Sequence, residues 1–151
     1  MRAVVQRVSA ARVEVNSAVT GSIGPGLCVL LCAMRGDTEA DARFIAGKLA
    51  TLRIFPDAEG RMNRSVQDMG GGVLLVSQFT LAADTTSGTR PGFSSALEPQ
   101  AARALCGVAA ADLRGRGLFV AEGVFGAHMQ VHLVNDGPVT ILLDSQAKAK
   151  K

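Results

Sequence analysis

Gly24-Pro25-Gly26-Leu27-Cys28-Val29-Leu30-Leu31-Cys32-Ala33-Met34 decides the fold class. Glycine and proline make a turn. The apolar run Leu27 to Met34 then shows no alternation and has strand length, so it reads as a central strand buried on both faces. Arg35-Gly36-Asp37 breaks the run. Thr38 stands before Glu39 and Asp41 as an N-cap stands before an acidic first turn. Phe44, Ile45, Lys48, Leu49 and Leu52 carry helical periodicity, with Lys48 as a snorkelling edge. The same pairing returns downstream. Gly70-Gly71-Gly72 leads into a second buried strand, Val73 to Phe79. Pro99 to Arg116 reads as the second long helix, with Ala101, Leu105, Val108, Ala109 and Leu113 facing inward. Buried strands followed by amphipathic helices indicate an α/β protein.

Further out the pattern is strand-rich. Residues 2–9 and 12–16 alternate as two strands, and Ala18 to Ile23 makes a short third. Ile54-Phe55 is extended, and Pro56-Asp57 to Gly60 turns. Residues 82–97, rich in Thr, Ser, Gly and Pro, read as a loop. Leu118 to Glu122 is a short strand. Met129 to Val134 and Val139 to Asp144 read as two strands joined through Asn135-Asp136-Gly137-Pro138. No repeat, linker or composition shift divides the chain. We therefore expect one domain over residues 1–144 and a basic tail, 145–151, that is disordered.

The 151 residues are enough to bury roughly 70% of the unfolded chain's surface. With 48% hydrophobic and 19% charged residues the composition is that of a globular protein. A net charge of +3 permits contact with a phosphate backbone without demanding it, and Lys148, Lys150 and Lys151 of the tail supply part of it. The absence of Trp and Tyr leaves six Phe and two His as stacking platforms, which argues against a single-strand stacking module. Cys28, Cys32 and Cys106 cannot all pair and read as reduced, buried thiols. The opening MRAVVQRVSAARVEV alternates charged and apolar residues and does not read as a signal peptide. No apolar run approaches the ~20 residues of a membrane span. These features indicate a soluble, cytoplasmic protein with no membrane contact.

Three polar stretches stand out. Ser77-Gln78-Phe79-Thr80-Leu81 ends an apolar strand at a loop, where catalytic groups and oxyanion-directed N–H donors are commonly presented; Ser77 and Thr80 are equally suited to capping the strand end. In Gly88-Thr89-Arg90-Pro91-Gly92-Phe93-Ser94, Arg90 is either a phosphate or carboxylate ligand or a surface arginine. Asn135-Asp136-Gly137-Pro138-Val139-Thr140 has the composition of a hairpin turn, though a Gly-Pro bond is one of the few that adopt cis at modest cost. A triad of Ser77, a histidine and Asp84, Asp136 or Asp144 is an alternative, but Ser77 lacks the G-x-S-x-G elbow. His128 and His132 have no evident third ligand for zinc, and no phosphate loop occurs.

Taken together, Ser77 to Leu81, Arg90-Pro91 with Phe93, and Asn135 to Thr140 resemble the D-aminoacyl-tRNA deacylase family. Met1 to Val8, Gly24 to Leu31, Arg53 to Asp57 with Gly60, Met62 and Asn63, and Phe125 to Ala127 with Met129 are similar to it as well. The resemblance covers residues 1–144. It implies an α/β fold of barrel-like sheets with two principal helices, forming a two-fold homodimer. It implies hydrolysis of the ester in D-aminoacyl-tRNA without a cofactor or metal, with the tRNA's aminoacylated 3′ end as partner. It assigns Ser77, Gln78, Phe79 and Thr80 to catalysis, with the N–H groups near Phe79 and Thr80 holding the oxyanion. Gly137, Pro138, Arg90, Phe93 and Met129 are implied to bind substrate, Gly137-Pro138 as a cis pair reaching into the partner subunit's pocket. Such a gate reads chirality rather than side chain, so achiral glycyl-tRNA is expected to be poorly excluded. Thr80 remains open between nucleophile and positioning residue, the ribose hydroxyl assisting water in the second case. Gly92 departs from the family pattern and predicts a looser loop. An L-specific editing deacylase and a non-catalytic tRNA-binding protein are the alternatives.

Overall fold

A computed structural model describes residues 1–147. Eight strands and two α-helices follow one another as β1 (Arg2–Val15), β2 (Ala18–Ile23), β3 (Gly26–Cys32), α1 (Glu39–Thr51), β4 (Phe55–Pro56), β5 (Met62–Arg64), β6 (Gly72–Ser77), α2 (Pro99–Gly115), β7 (Phe119–Glu122) and β8 (Gln130–Asp144). The main sheet runs β2-β1-β3-β6-β7, with β8 paired to β1. β1 pairs antiparallel with β2, β3 and β8, whereas β6 lies parallel to both β3 and β7. β4 and β5 form a separate small hairpin.

β3 and β6 are buried on both faces, as the unbroken apolar runs predict. On one face Val5, Leu27, Val29, Leu31, Val73 and Leu75 pack with Ile45, Leu49, Leu105 and Leu113 of the two helices. On the other, Val8, Val13, Ile23, Cys28, Leu74 and Val76 form a second cluster. This inner cluster exists because the sheet curls until β2 meets β7, giving the barrel-like form. At the meeting point a Cβ on Gly21 would lie 2.5 Å from the Glu122 carbonyl oxygen, so only glycine permits the approach.

Local chemistry sets the helix starts. The Asp41 carboxylate accepts the Thr38 N–H at 2.9 Å and its hydroxyl at 3.1 Å, a reciprocal cap that also lowers the Asp41 pKa. Glu98 caps α2 by accepting the N–H groups of Gln100 and Ala101. The inner face of α2 is Ala102, Leu105, Ala109, Ala110 and Leu113. Ala101 and Val108 are only half-buried, so the face is turned by one position from the expected one.

Other expectations are corrected. The two N-terminal strands are one, β1, because β8 pairs with it from Arg2 to Glu14 and bridges the region where alternation lapses. The strand after Gly72 ends at Ser77, and Phe79–Ala82 is a 3-10 turn. Met129 to Asp144 is not a hairpin: Asn135 to Pro138 lie within a single strand. Ser145 to Ala147 are tied down, with Ser145 N–H donating to the Met1 carbonyl at 2.9 Å and Gln146 Nε2 donating to Asp41 at 3.0 Å. Residues 145–147 are therefore not part of a disordered tail, and Lys148, Lys150 and Lys151 lie outside the described residues.

Candidate active site

A cavity of about 680 Å³ opens at the carboxyl end of β6, between α2 and the segment 125–129. This is where parallel strands present ligand sites, since their ends diverge there under the flanking helices. Gln78 N–H donates to the Leu31 carbonyl at 2.8 Å and so holds the strand exit against β3. The chain then tightens: Leu81 N–H donates to the Gln78 carbonyl and Ala83 N–H to that of Thr80. A helical start leaves its first N–H groups without internal acceptors. Among the described residues the N–H groups of Phe79 and Thr80 have none. They are adjacent, unspent donors; Phe79 lines the cavity, and Thr80 follows it, exposed, just outside the lining.

The side chains divide the labour. Ser77 and Gln78 are half-buried and line the cavity. Gln78 Nε2 donates to the Thr80 hydroxyl. Phe79 is 60% exposed and meets Phe93 edge to face, with ring centroids 5.1 Å apart. The two rings wall the mouth. Met129 lines the opposite side and accepts the Val124 N–H on its sulfur at 3.4 Å.

Among the described residues no group poised as a base is bonded to Thr80, whose hydroxyl accepts from Gln78. Glu98 lines the cavity, but its carboxylate is engaged by the α2 cap. His128 also lines it, with Nε2 3.3 Å from the Gln130 amide. Cys32 and Cys106 border the cavity as well. Burial pushes the Cys106 thiol up to about 11 and raises that of Cys32. Both remain protonated near neutrality and are poor nucleophiles. The Ser77–His–Asp alternative is not assembled. His132 faces Glu14 at 3.5 Å, Asp84 accepts from Thr86, Asp136 lies near Arg7, and Asp144 near Arg2.

Arg90 does not reach the cavity. Asp84 and Gly92 exchange two backbone hydrogen bonds, 2.8 and 2.9 Å long, which close the loop below residue 90. Arg90 is left exposed on the tip, while Phe93, just past the closure, is delivered to the mouth. Gly92, expected to loosen the loop, takes part in fastening it.

Gly137-Pro138 is cis. The pair lies in a bulge of β8: Thr140 stands opposite Gln6 and Asn135 opposite Val8, so residues 136–139 face Arg7 alone. Asn135 closes the bulge, accepting the Val139 N–H at 2.9 Å and donating to the Thr140 hydroxyl at 3.1 Å. Arg7 pins it, donating Nε to the Asp136 carbonyl at 2.9 Å and Nη1 to the Ile54 carbonyl at 2.7 Å. Sequence reading missed the roles of Arg7 and Asn135. The signal was an arginine in an otherwise apolar-alternating strand. Asp136, Gly137 and Pro138 of the bulge are exposed, Val139 is buried beneath them, and none of the four lines the cavity. Arg7 pairs with Leu27 and Leu27 with Val73, four residues before Ser77 on β6. Four residues along and three strands across separate bulge from mouth by roughly 20 Å at ordinary strand spacings.

Comparison with known proteins gives this geometry a family. A family model described as D-Tyr-tRNA(Tyr) deacylase matches residues 4–144. A curated protein of Jannaschia sp. (strain CCS1) named "D-aminoacyl-tRNA deacylase" is 59% identical over 147 residues, which cover 97% of this chain and 100% of that one. One of the same name from Anaeromyxobacter dehalogenans (strain 2CP-C) is 61% identical, covering 97% and 98%. The solved structure of "c-Myc DNA Unwinding Element Binding Protein" superposes with a TM-score of 0.92 at 41% identity, covering 97% of this chain and 100% of that one. That of a "probable eukaryotic D-amino acid tRNA deacylase", at TM-score 0.80 and 17% identity over 94% and 97%, shares the fold. These likenesses put the chain in the class of hydrolases that act on aminoacyl-tRNA esters. More narrowly, it belongs to the D-aminoacyl-tRNA deacylase family. No helix among the described residues is long and apolar enough to cross a membrane.

Proposed function

We propose that this chain hydrolyses the ester of D-aminoacyl-tRNA at the mouth of the β6 cavity, releasing free D-amino acid and tRNA. The observation that carries the reading is the pair of unspent N–H donors of Phe79 and Thr80 beside a cavity of substrate size. Water adds to the ester carbonyl, the two donors receive the developing oxyanion, and the ribose oxygen departs with a proton. Each such donor is worth roughly 3 kcal/mol in hydrolases that use them. Thr80 positions the ester while the neighbouring ribose hydroxyl activates water; the absence of a base bonded to Thr80 among the described residues supports that role over nucleophilic attack.

The active unit is a two-fold homodimer in which Gly137-Pro138 of a second copy closes the pocket. The separation of bulge and mouth within one subunit, and the exposure of the bulge, support this reading. Two rigid carbonyls side by side hold the α-amino group and leave no room for an L side chain. Met129 and Phe93 flank the acyl-adenosine, and Arg90 on its exposed loop tip reaches tRNA phosphate. Glycyl-tRNA, having no side chain to exclude, is also hydrolysed. The enzyme works in the cytoplasm as a proofreader of translation.

Deacylation of matched D- and L-aminoacyl-tRNA carrying one side chain tests the proposal. Fast release from the D form with the L form spared is expected. Release from the L form would make the chain an editing enzyme of the related class. Binding without release from either would leave a tRNA-binding protein.

A further inference from the structure

A second cavity of about 310 Å³ opens beside the first. The two share Leu31, Val76, Ser77, Cys106 and Phe125, so one leads into the other across the carboxyl ends of β3 and β6. The smaller groove is bounded by α2 at Arg103 and Gly107 and by residues 122–124, where the chain leaves β7.

Two features set the groove apart. Arg103 is exposed and has no hydrogen-bond or ion-pair partner among the described residues. Glu122 also lines the groove, but the Arg114 guanidinium lies 3.0 Å from its carboxylate and offsets its charge. The groove thus keeps one uncompensated cation. The second feature is Gly107, one turn beyond Arg103 on the same helix face. It sits inside a 17-residue helix, where glycine is the least favourable residue after proline. A Cβ there would meet nothing within 4 Å, so packing does not require glycine. What the missing side chain does is leave the groove wide beside the free cation.

We infer that this groove takes the sugar–phosphate strand of the tRNA leading to its terminal adenosine, with Arg103 binding one of its phosphates. The inference rests on the proposed function: the groove joins the main cavity at Ser77 and so offers a path to the nucleotide that precedes an acyl-adenosine seated there. A guanidinium offers paired donors that match phosphate oxygens. Among the described residues the groove's one aromatic ring, Phe125, lies on the shared wall, which suits the groove to backbone rather than to a run of stacked bases.

The test compares two substrates that differ only in the preceding strand: D-aminoacyl-adenosine and D-aminoacyl-tRNA. Arg103→Ala is expected to lower kcat/KM about tenfold on the tRNA, through KM, and to act less than twofold on the adenosine ester. Binding of the uncharged trinucleotide CCA should weaken by a similar factor. The slope of log affinity against log salt should fall by about 0.7, the share of one phosphate contact on a single strand. Arg103→Lys should restore part of the loss. Gly107→Leu, which fills open space, should reproduce the tRNA-specific defect. Equal penalties on both substrates, or an unchanged salt slope, would overturn the inference. So would a penalty confined to D-aspartyl esters, which would assign Arg103 to the amino-acid side chain. A parent enzyme that hydrolyses no D-ester would instead overturn the proposed function, and the trinucleotide titration would still decide the groove.

Discussion

The mouth of the cavity and the bulge on β8 are both short polar interruptions of apolar strands, and they treat hydrogen bonding in opposite ways. At the mouth, capacity is left open: the N–H groups of Phe79 and Thr80 have no acceptor among the described residues, and Ser77 makes no side-chain hydrogen bond there. At the bulge, capacity is used up: Arg7 holds the Asp136 carbonyl, and Asn135 holds Val139 and Thr140. In the proposed mechanism the open donors receive developing charge, whereas the bulge, which excludes one stereoisomer, draws its fixed shape from local bonds.

The largest test removes one element from each region. Phe79→Pro deletes one of the open donors. The preceding Gln78, at φ −145° and ψ 78°, lies outside the helical region that a following proline disfavours. A fall in kcat of about 10²–10³ is expected for a lost oxyanion donor. Gly137→Ala would bring a Cβ to 2.7 Å from the Val139 side chain at φ +146°, and displacement of the gate should cost roughly hundredfold in kcat/KM on the D substrate. Mixing the two inactive proteins then separates the regions. If bulge and mouth meet across subunits, mixed dimers recover one intact site. Persistent inactivity after exchange would break the comparison.

Arg7→Met should come next. It strips donors from the Asp136 and Ile54 carbonyls, so D-over-L selectivity should fall by about tenfold while a melting curve reports a loss of about 1–3 kcal/mol. Selectivity unchanged with stability lost would reduce Arg7 to a purely structural tie. Thr80→Ala removes one neutral hydrogen bond and should leave kcat/KM within about tenfold of the parent; complete loss would restore Thr80 as the nucleophile. Phe93→Ala removes the edge-to-face partner of Phe79, and KM should rise a few-fold, in line with about 0.5–1.5 kcal/mol for such pairs.

The smallest effect concerns pH. Burial holds the thiols of Cys28 and Cys106 at about 11 against an ordinary 9.0. A raised folded pKa means that the folded chain binds more protons in that interval. Its contribution to stability is therefore complete below pH 9 and lost as pH rises toward 11. Denaturant midpoints measured from pH 7 to 11 should stay flat and then decline. In the Cys106→Ala variant the alkaline decline should be shallower, with deacylase activity retained.

The legible parts of the molecule share one property: their signal is local. The run from Leu27 to Met34 had to be a doubly buried strand because no polar residue offers it a wet face. Thr38 with Asp41 had to begin a helix because the cap completes itself within four residues. The three polar stretches could be picked out, and matched to a family, because they interrupt such elements. The failures lie where distant chain decides. Asn135 to Pro138 carry turn chemistry, yet β1 runs past them on one side and absorbs them as a bulge. Arg90 could be picked out as a cation in a loop, but only the Asp84–Gly92 closure placed it on an exposed tip away from the cavity. Arg7 could not be assigned at all, because its two acceptors come from residues 54 and 136. Local propensity and burial period thus determined the elements, their class and the candidate residues. Tertiary structure alone decided which of those residues face the cavity, since long-range pairing and loop closure fix where a side chain ends.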